Sequence, residues 1–283
     1  MKKTIRLSLL FTAVLATSLL AASCKESNCI NHPWEGATVA YLGDSITDPG
    51  SVPDGHDWTG QENWHYWGYL QEWLGIKPLV YGVSGCQWSD VVPQAEQLKA
   101  EHSSDFDAIT VFMGANDYIN DIPMGEWYDI APAKTIAALG YPATEYEMQK
   151  RTPAMDPATL RGRINIALST LKSMYPDKQI VVLTPLHRGF STFGERNIQP
   201  EEYFPNRIGL YITDYVDVIK EAGNVWGVPV IDLNSVSGLN PMVPEQIPYF
   251  CDPETDQLHP NADGHRRMAK TLVYQLLTLP CKF

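Results

Sequence analysis

Five short apolar runs rich in β-branched residues recur along the chain: Ala37–Leu42, Leu79–Val83, Ala108–Met113, Gln179–Thr184 and Val228–Leu233. They are continuously apolar rather than alternating, which suits strands of a parallel sheet covered on both faces. Between them the spacing turns to three and four. Trp64, Trp67, Leu70 and Leu74 form one stripe, Ile164, Leu168, Leu171 and Met174 a second, and Ile208, Ile212, Tyr215 and Ile219 a third. A last helix is predicted from about Ala262 to Leu277, with Met268, Leu272 and Leu276 on one face. Strands alternating with helices predict an α/β fold: a three-layer α/β/α sandwich around a five-stranded, mostly parallel sheet.

One segment breaks the rhythm. Residues 118–157 contain Pro123, Pro132, Pro142, Pro153 and Pro157 with several aromatics. Ordinary connections in such folds are far shorter. An excursion that follows a strand's carboxyl end is expected to overhang the ligand crevice, which lies at that end of an open parallel sheet. A surface insertion is the plain alternative.

The first 23 residues read differently from the rest. Lys2, Lys3 and Arg6 precede the run "LSLLFTAVLATSLLAAS", which stops at Cys24. A basic start, a short apolar core and small residues before a boundary read as an export signal rather than a spanning helix. Ala21, Ala22 and Ser23 before Cys24 resemble a bacterial lipoprotein processing site, with Leu20 one place earlier than usual. The resemblance implies acyl chains on Cys24, a tether over residues 24–36 and a membrane face as partner. Plain secretion is the alternative. The folded domain is expected over 37–283.

Composition narrows the partners. The chain carries a net charge of −12, and loss of the three leader cations takes it to about −15. That disfavours nucleic acid and long polyanions unless a local basic patch exists. Hydrophobic residues make up 44% and there are eight tryptophans, so a substantial core is expected. Cys29, Cys86, Cys251 and Cys281 follow Cys24. Export permits disulfides, and a Cys251–Cys281 bridge that staples the C-terminal segment is expected. No zinc-like spacing is present, and neither metal nor cofactor is expected.

The chemistry gathers at the predicted strand ends. Strand one ends in "YLGDSITD", with Ser45 between two acids. Turn formation explains such a stretch by itself. A nucleophile needs a base, an orienter and oxyanion donors, and the chain supplies each. His259 is the best base. Asp256, three residues upstream, is placed to bind its Nδ1 across one turn and leave Nε2 for Ser45. Donors are offered by the N–H of Ser45, the N–H of Gly85 after the second strand, and the Asn116 amide after the third. Ser84 in "GVSGC" is a poor rival, because Cys86 stands where the G-x-S-x-G elbow needs glycine. His56, His65, Asp48, Asp54, Asp57 and Glu62 allow a metal phosphoesterase reading, but their spacing is irregular.

The four blocks "GDSIT", "GVSG", "GAND" and "DQLH" resemble those of the SGNH (GDSL-type) hydrolase family, in order, across the whole mature domain. The resemblance implies a flavodoxin-like fold and metal-free ester hydrolysis by a Ser45–His259–Asp256 triad. It also implies an oxyanion hole of Ser45, Gly85 and Asn116. Tyr81 departs from the pattern, because many members carry asparagine there.

Substrate signals are weaker. Trp58 reads equally as a sugar-stacking wall or as core. Trp127 and Tyr128 offer a second wall from the excursion. His187 and Arg188, in "PLHRGF", sit after strand four, where Arg188 reads as a ligand for sugar hydroxyls or as a partner of a surface acid. Export and a compact site favour small acyl esters, acetyl above all, on carbohydrates, as in exported bacterial members that the chain resembles. The alternative is a lipase, lysophospholipase or thioesterase, which needs an apolar trough walled by Ile119, Ile122 and Met124. A non-catalytic glycan-binding protein would lack a triad or oxyanion group, and none is missing.

Overall fold

The computed structural model describes residues 32–51, 65–137 and 144–283. The leader, Cys24, Cys29, Asp54, His56, Asp57, Trp58, Glu62 and Trp64 lie outside the described residues. In chain order the first elements are β1 (Thr38–Gly43), α1 (Tyr66–Leu74), β2 (Lys77–Val80), α2 (Val91–His102), β3 (Ala108–Phe112) and α3 (Ala115–Ile119). Next come β4 (Tyr128–Ala137), β5 (Thr144–Pro153), α4 (Leu160–Met174), β6 (Gln179–Leu183), β7 (Ser191–Thr192) and β8 (Ile198–Gln199). The last are α5 (Ile212–Trp226), β9 (Val230–Ile231), α6 (Leu233–Val236), β10 (Phe250–Asp252), β11 (Asp256–Pro260) and α7 (Ala262–Leu276).

The central sheet has the order β2-β1-β3-β6-β9 and every pairing is parallel. This is a doubly wound arrangement whose strand order reverses between β1 and β3. The continuous apolar runs are explained by coverage on both faces. Ala40, Leu42, Ile109, Val111 and Val182 pack with Val91, Leu98, Ile164, Leu168 and Ile219 from α2, α4 and α5. Their strand neighbours Val39, Tyr41, Phe112, Val181 and Leu183 turn the other way, onto Tyr66, Leu70, Met268 and Leu272 from α1 and α7. Successive strand side chains point to opposite faces, so each run feeds both cores.

Several boundaries move. The second strand starts at Lys77, and Val83 is 53% exposed. As an edge strand, β2 tolerates Pro78, and the chain leaves the sheet after Val80 to form the loop described below. The helix predicted from Ile208 is α5, which starts at Ile212 with Tyr211 and Asp214 as a capping box; Ile208, at 47% exposure, lies in the preceding turn. One compact unit spans His32–Phe283. Trp34 is fully buried, and its indole donates to the carbonyls of Leu276 and Leu279 at the end of α7. Cys281 is buried with a free thiol, so the expected Cys251–Cys281 bridge is not formed. Packing of the C-terminal segment supplies the closure instead.

The excursion is an antiparallel hairpin. β4 and β5 pair without interruption from Tyr128↔Pro153 to Ala137↔Thr144. Its strands are almost wholly exposed, so no buried face gave the sequence a detectable period. A second, four-stranded sheet has the order β10-β11-β7-β8. It stands beside the carboxyl ends of the central strands and carries half of the site.

Candidate active site

β1 delivers Ser45. The strand ends at Gly43, where Gln94 of α2 clamps the backbone, donating to the Gly43 carbonyl and accepting from its N–H, both at 2.9 Å. A side chain on Gly43 would collide with Thr47, so the chain can turn back closely only with glycine there. Asp44 then organises the turn. Its carbonyl accepts the N–H groups of Thr47 and Asp48, and its carboxylate accepts that of Ile46 at 3.1 Å. Burial pushes the Asp44 carboxyl up to about 6, partly opposed by the Ile46 N–H.

β11 delivers the partners. Asp256 opens that strand and accepts the N–H groups of Leu258 (3.2 Å) and His259 (3.0 Å) through Oδ1. Its Oδ2 lies 2.8 Å from His259 Nδ1. His259 Nε2 lies 2.8 Å from Ser45 Oγ. Serine, imidazole and carboxylate thus form one hydrogen-bonded line across 214 residues of sequence. The dyad sits on a strand and its local turn, directly before the last helix. The helix follows: Asn261 caps α7 by accepting from Asp263 and Gly264, and its amide donates to the carbonyls of Pro248 and Phe250. The Phe193 ring stands edge-on to the imidazole, 5.3 Å between centroids.

The two remaining loops converge on the same point. Gly85 has φ +85° with open space around its Cα, a backbone conformation that costs glycine little. Among the described residues, the N–H groups of Ser45 and Gly85 have no acceptor. Asn116 Nδ2 donates to the Cys86 carbonyl at 3.0 Å, which leaves its second amide hydrogen free. These loops are tied together by carboxylates. Asp48 accepts the N–H (2.9 Å) and hydroxyl (2.8 Å) of Ser84, so Ser84 holds the second loop to the first. Asp117, fully buried, accepts the N–H of Trp88 and pairs with Arg163 at 3.1 Å. Burial raises the Asp117 carboxyl to about 6 against the pull of those two partners. Burial likewise pushes the Cys86 thiol up to about 11, so it stays protonated at neutral pH.

The cleft above Ser45 holds about 380 Å³. Its polar lining comes from Ser51, Ser84, Asn116, Asn197 and Gln199, and its apolar lining from Phe193 and Leu258. Asn197 and Gln199 escaped the sequence reading. They belong to a two-residue strand and its loop, too short to leave a period. Gln199 is held from behind by Arg188, whose Nη2 donates to its Oε1 at 2.7 Å, and Gln199 in turn donates to Asn197 Oδ1 at 2.8 Å.

The structure does not bring every expected substrate residue to the cleft. Arg188 is 1% exposed and lies behind the wall. Burial lowers its basicity to about 10, and it remains a cation at neutral pH. His187 is engaged by Glu202 at 2.7 Å. Trp127 bonds Glu221 on α5, and Tyr128 packs against Arg151 at the base of the hairpin; neither lines the cleft. Ile119, Ile122 and Met124 pack against the first core and do not line the cleft above Ser45; Ile119 borders an adjoining groove that shares Asn197 and Gln199 with it. Tyr81 is buried and its hydroxyl donates to Glu101 at 2.7 Å, outside the cleft.

The profile of the GDSL-like lipase/acylhydrolase family matches residues 41–267. No curated protein matches the sequence. Among solved structures, a protein from Lactobacillus plantarum is 24% identical with a TM-score of 0.63, over 86% of this chain and 98% of that one. A possible lipase from Chitinophaga pinensis is 20% identical with a TM-score of 0.60, over 86% and 98%. A lipase/acylhydrolase from Enterococcus faecalis is 17% identical with a TM-score of 0.51, also over 86% and 98%. At these identities the likeness is one of fold.

Proposed function

The chain belongs to the GDSL-like lipase/acylhydrolase family, and on that premise we propose that it is a serine esterase removing small acyl groups, acetyl above all, from carbohydrates. One observation carries the reading: a serine at 2.8 Å from an oriented imidazole opens into a small cleft where the amides of Asn116, Asn197 and Gln199 and the hydroxyls of Ser51 and Ser84 stand beside Phe193 and Leu258. Those polar groups match the hydroxyls of a sugar better than a long acyl chain, which needs apolar walls.

The mechanism has two steps. Ser45 Oγ attacks the ester carbonyl carbon while its proton passes to His259 Nε2. Asp256 holds the imidazole in the receptive tautomer and stabilises the imidazolium. The carbonyl oxygen becomes an oxyanion, gathered by the N–H groups of Ser45 and Gly85 and by Asn116 Nδ2. Such a donor is worth about 3 kcal/mol in the transition state. Collapse expels the sugar hydroxyl, which takes the proton from His259. Water then gives a proton to His259 and attacks acyl-Ser45, releasing the carboxylic acid and restoring the serine.

The same reading takes the enzyme out of the cytoplasm, held by acyl chains on Cys24, as the leader's basic start, apolar run and small residues support. The test is a substrate series: acetylated oligosaccharides alongside p-nitrophenyl acetate, butyrate and octanoate. Acetate release from the oligosaccharides, with acetate preferred over octanoate, is expected. A preference for octanoate would replace this reading with the lipid one.

A further inference from the structure

Away from the cleft, a groove of about 850 Å³ runs along the outer side of α7. Ligand sites commonly occupy roughly 300–1,000 Å³. One wall is Trp73 of α1 and Tyr249; the other is Arg266, Arg267, Lys270 and Tyr274 of α7. Arg266, Lys270 and Tyr274 follow at intervals of four, so they share one helix face. They span about 12 Å at 1.5 Å per residue.

Three cations gather on this one groove. Arg161, Arg163 and Arg207 each pair with a carboxylate. Among the described residues, Arg266, Arg267 and Lys270 make no ion pair. One acid, Asp263, lines the head of the groove. In a chain of net charge −12 this is a local reversal of sign, the kind of patch that draws an anionic ligand. The rings beside it are held in place. Trp73 stacks on Tyr69 at 5.3 Å, and Arg267 sits 5.1 Å over the Tyr249 ring.

Aromatic faces accept the C–H faces of sugar rings, and guanidinium groups take carboxylates in bidentate fashion. A lipid surface is a plane and calls for a protruding face, whereas this site is concave. Nucleic acid is a denser polyanion and is repelled by the remaining surface. We propose that the groove binds a uronate-bearing polysaccharide, a second site that holds the polymer while the Ser45 cleft works on it. The carbohydrate reading of the cleft supports the choice of polymer, but the binding itself needs no turnover. The groove's head at Asp263 is four residues from His259, at the end of α7 that follows β11.

The test is calorimetric titration of the Ser45→Ala protein with oligogalacturonate, a neutral xylo-oligosaccharide of equal length, and phosphatidylglycerol vesicles. Oligogalacturonate should bind and the neutral sugar should not. Arg266→Ala/Lys270→Ala should weaken binding at least about tenfold, as should added salt. In the Ser45 background the same double variant should hydrolyse p-nitrophenyl acetate at the wild-type rate. Absence of oligogalacturonate binding, binding undiminished in the double variant, or binding to vesicles alone would overturn the groove. Oligogalacturonate binding without any glycan deacetylation would uphold the groove and overturn the esterase reading. Deacetylation without binding would do the reverse.

Discussion

Replacing Asp256 by asparagine exchanges one oxygen for an amide and removes one charge. Asparagine keeps a carbonyl oxygen for the N–H groups of Leu258 and His259, which Asp256 Oδ1 now accepts at 3.2 and 3.0 Å. The local turn therefore survives. The new NH₂ then occupies the place of Oδ2, 2.8 Å from His259 Nδ1. Two donors cannot face each other, so Nδ1 must accept and the ring proton moves to Nε2. That nitrogen lies 2.8 Å from Ser45 Oγ and, once protonated, cannot take the serine proton. The imidazolium of the transition state also loses its counter-charge. Together these effects should lower kcat about 10⁴-fold, close to 5 kcal/mol. KM and the thermal midpoint should barely move, because neither the cleft lining nor the turn changes. Steady-state hydrolysis of p-nitrophenyl acetate measures the first quantity, and thermal melting the second. A variant retaining activity within about tenfold of wild type would refute the role given to Asp256.

Asn116→Ala removes one oxyanion donor and should cost about 10²–10³ in kcat with little change in KM, read on the same substrate. Asn197→Ala should raise KM for an acetylated oligosaccharide several-fold and leave p-nitrophenyl acetate untouched, since the cleft wall meets the sugar and not the acyl group; an equal effect on both substrates would contradict this. Arg163→Ala strips the partner from buried Asp117 and should cost about 3 kcal/mol of stability at neutral pH, measured by urea unfolding. That loss should shrink as the pH falls towards 6, because without Arg163 the Asp117 carboxyl takes up its proton at a still higher pH. Burial holds the Asp117 carboxyl at about 6 in the fold, above its ordinary 3.8, so stability tied to its neutral form is fully present below that ordinary value and lost as the pH rises through 6. A loss that grows on acidification would contradict the burial argument.

The parallel sheet and the four loops were legible because their physics is local. Doubly covered strands must be apolar throughout, and the chemistry at their ends admits few side chains. Gly43, Ser45, Gly85, Asn116 and His259 each stand where a turn, a donor or a base is required. The second wall was not legible. β7 and β8 have two residues each; β8 pairs with β7, and β7 with β11, more than fifty residues on. Arg188 misled for the opposite reason. An arginine before a short strand ordinarily points to solvent, yet here it is buried against Gln199 and the Tyr118 ring. The hairpin β4–β5 hid because neither of its faces is covered, so nothing imposed alternation. Trp127, just before that hairpin, packs against the first core and bonds Glu221 rather than lining the cleft.

The most direct test is to trap the acyl-enzyme. Protein mixed with p-nitrophenyl acetate and quenched in acid within the first turnover should carry one acetyl group, on the peptide containing Ser45, and the Ser45→Ala protein should carry none there. An unmodified Ser45 alongside full ester hydrolysis, or equal hydrolysis by the Ser45→Ala protein, would contradict the account.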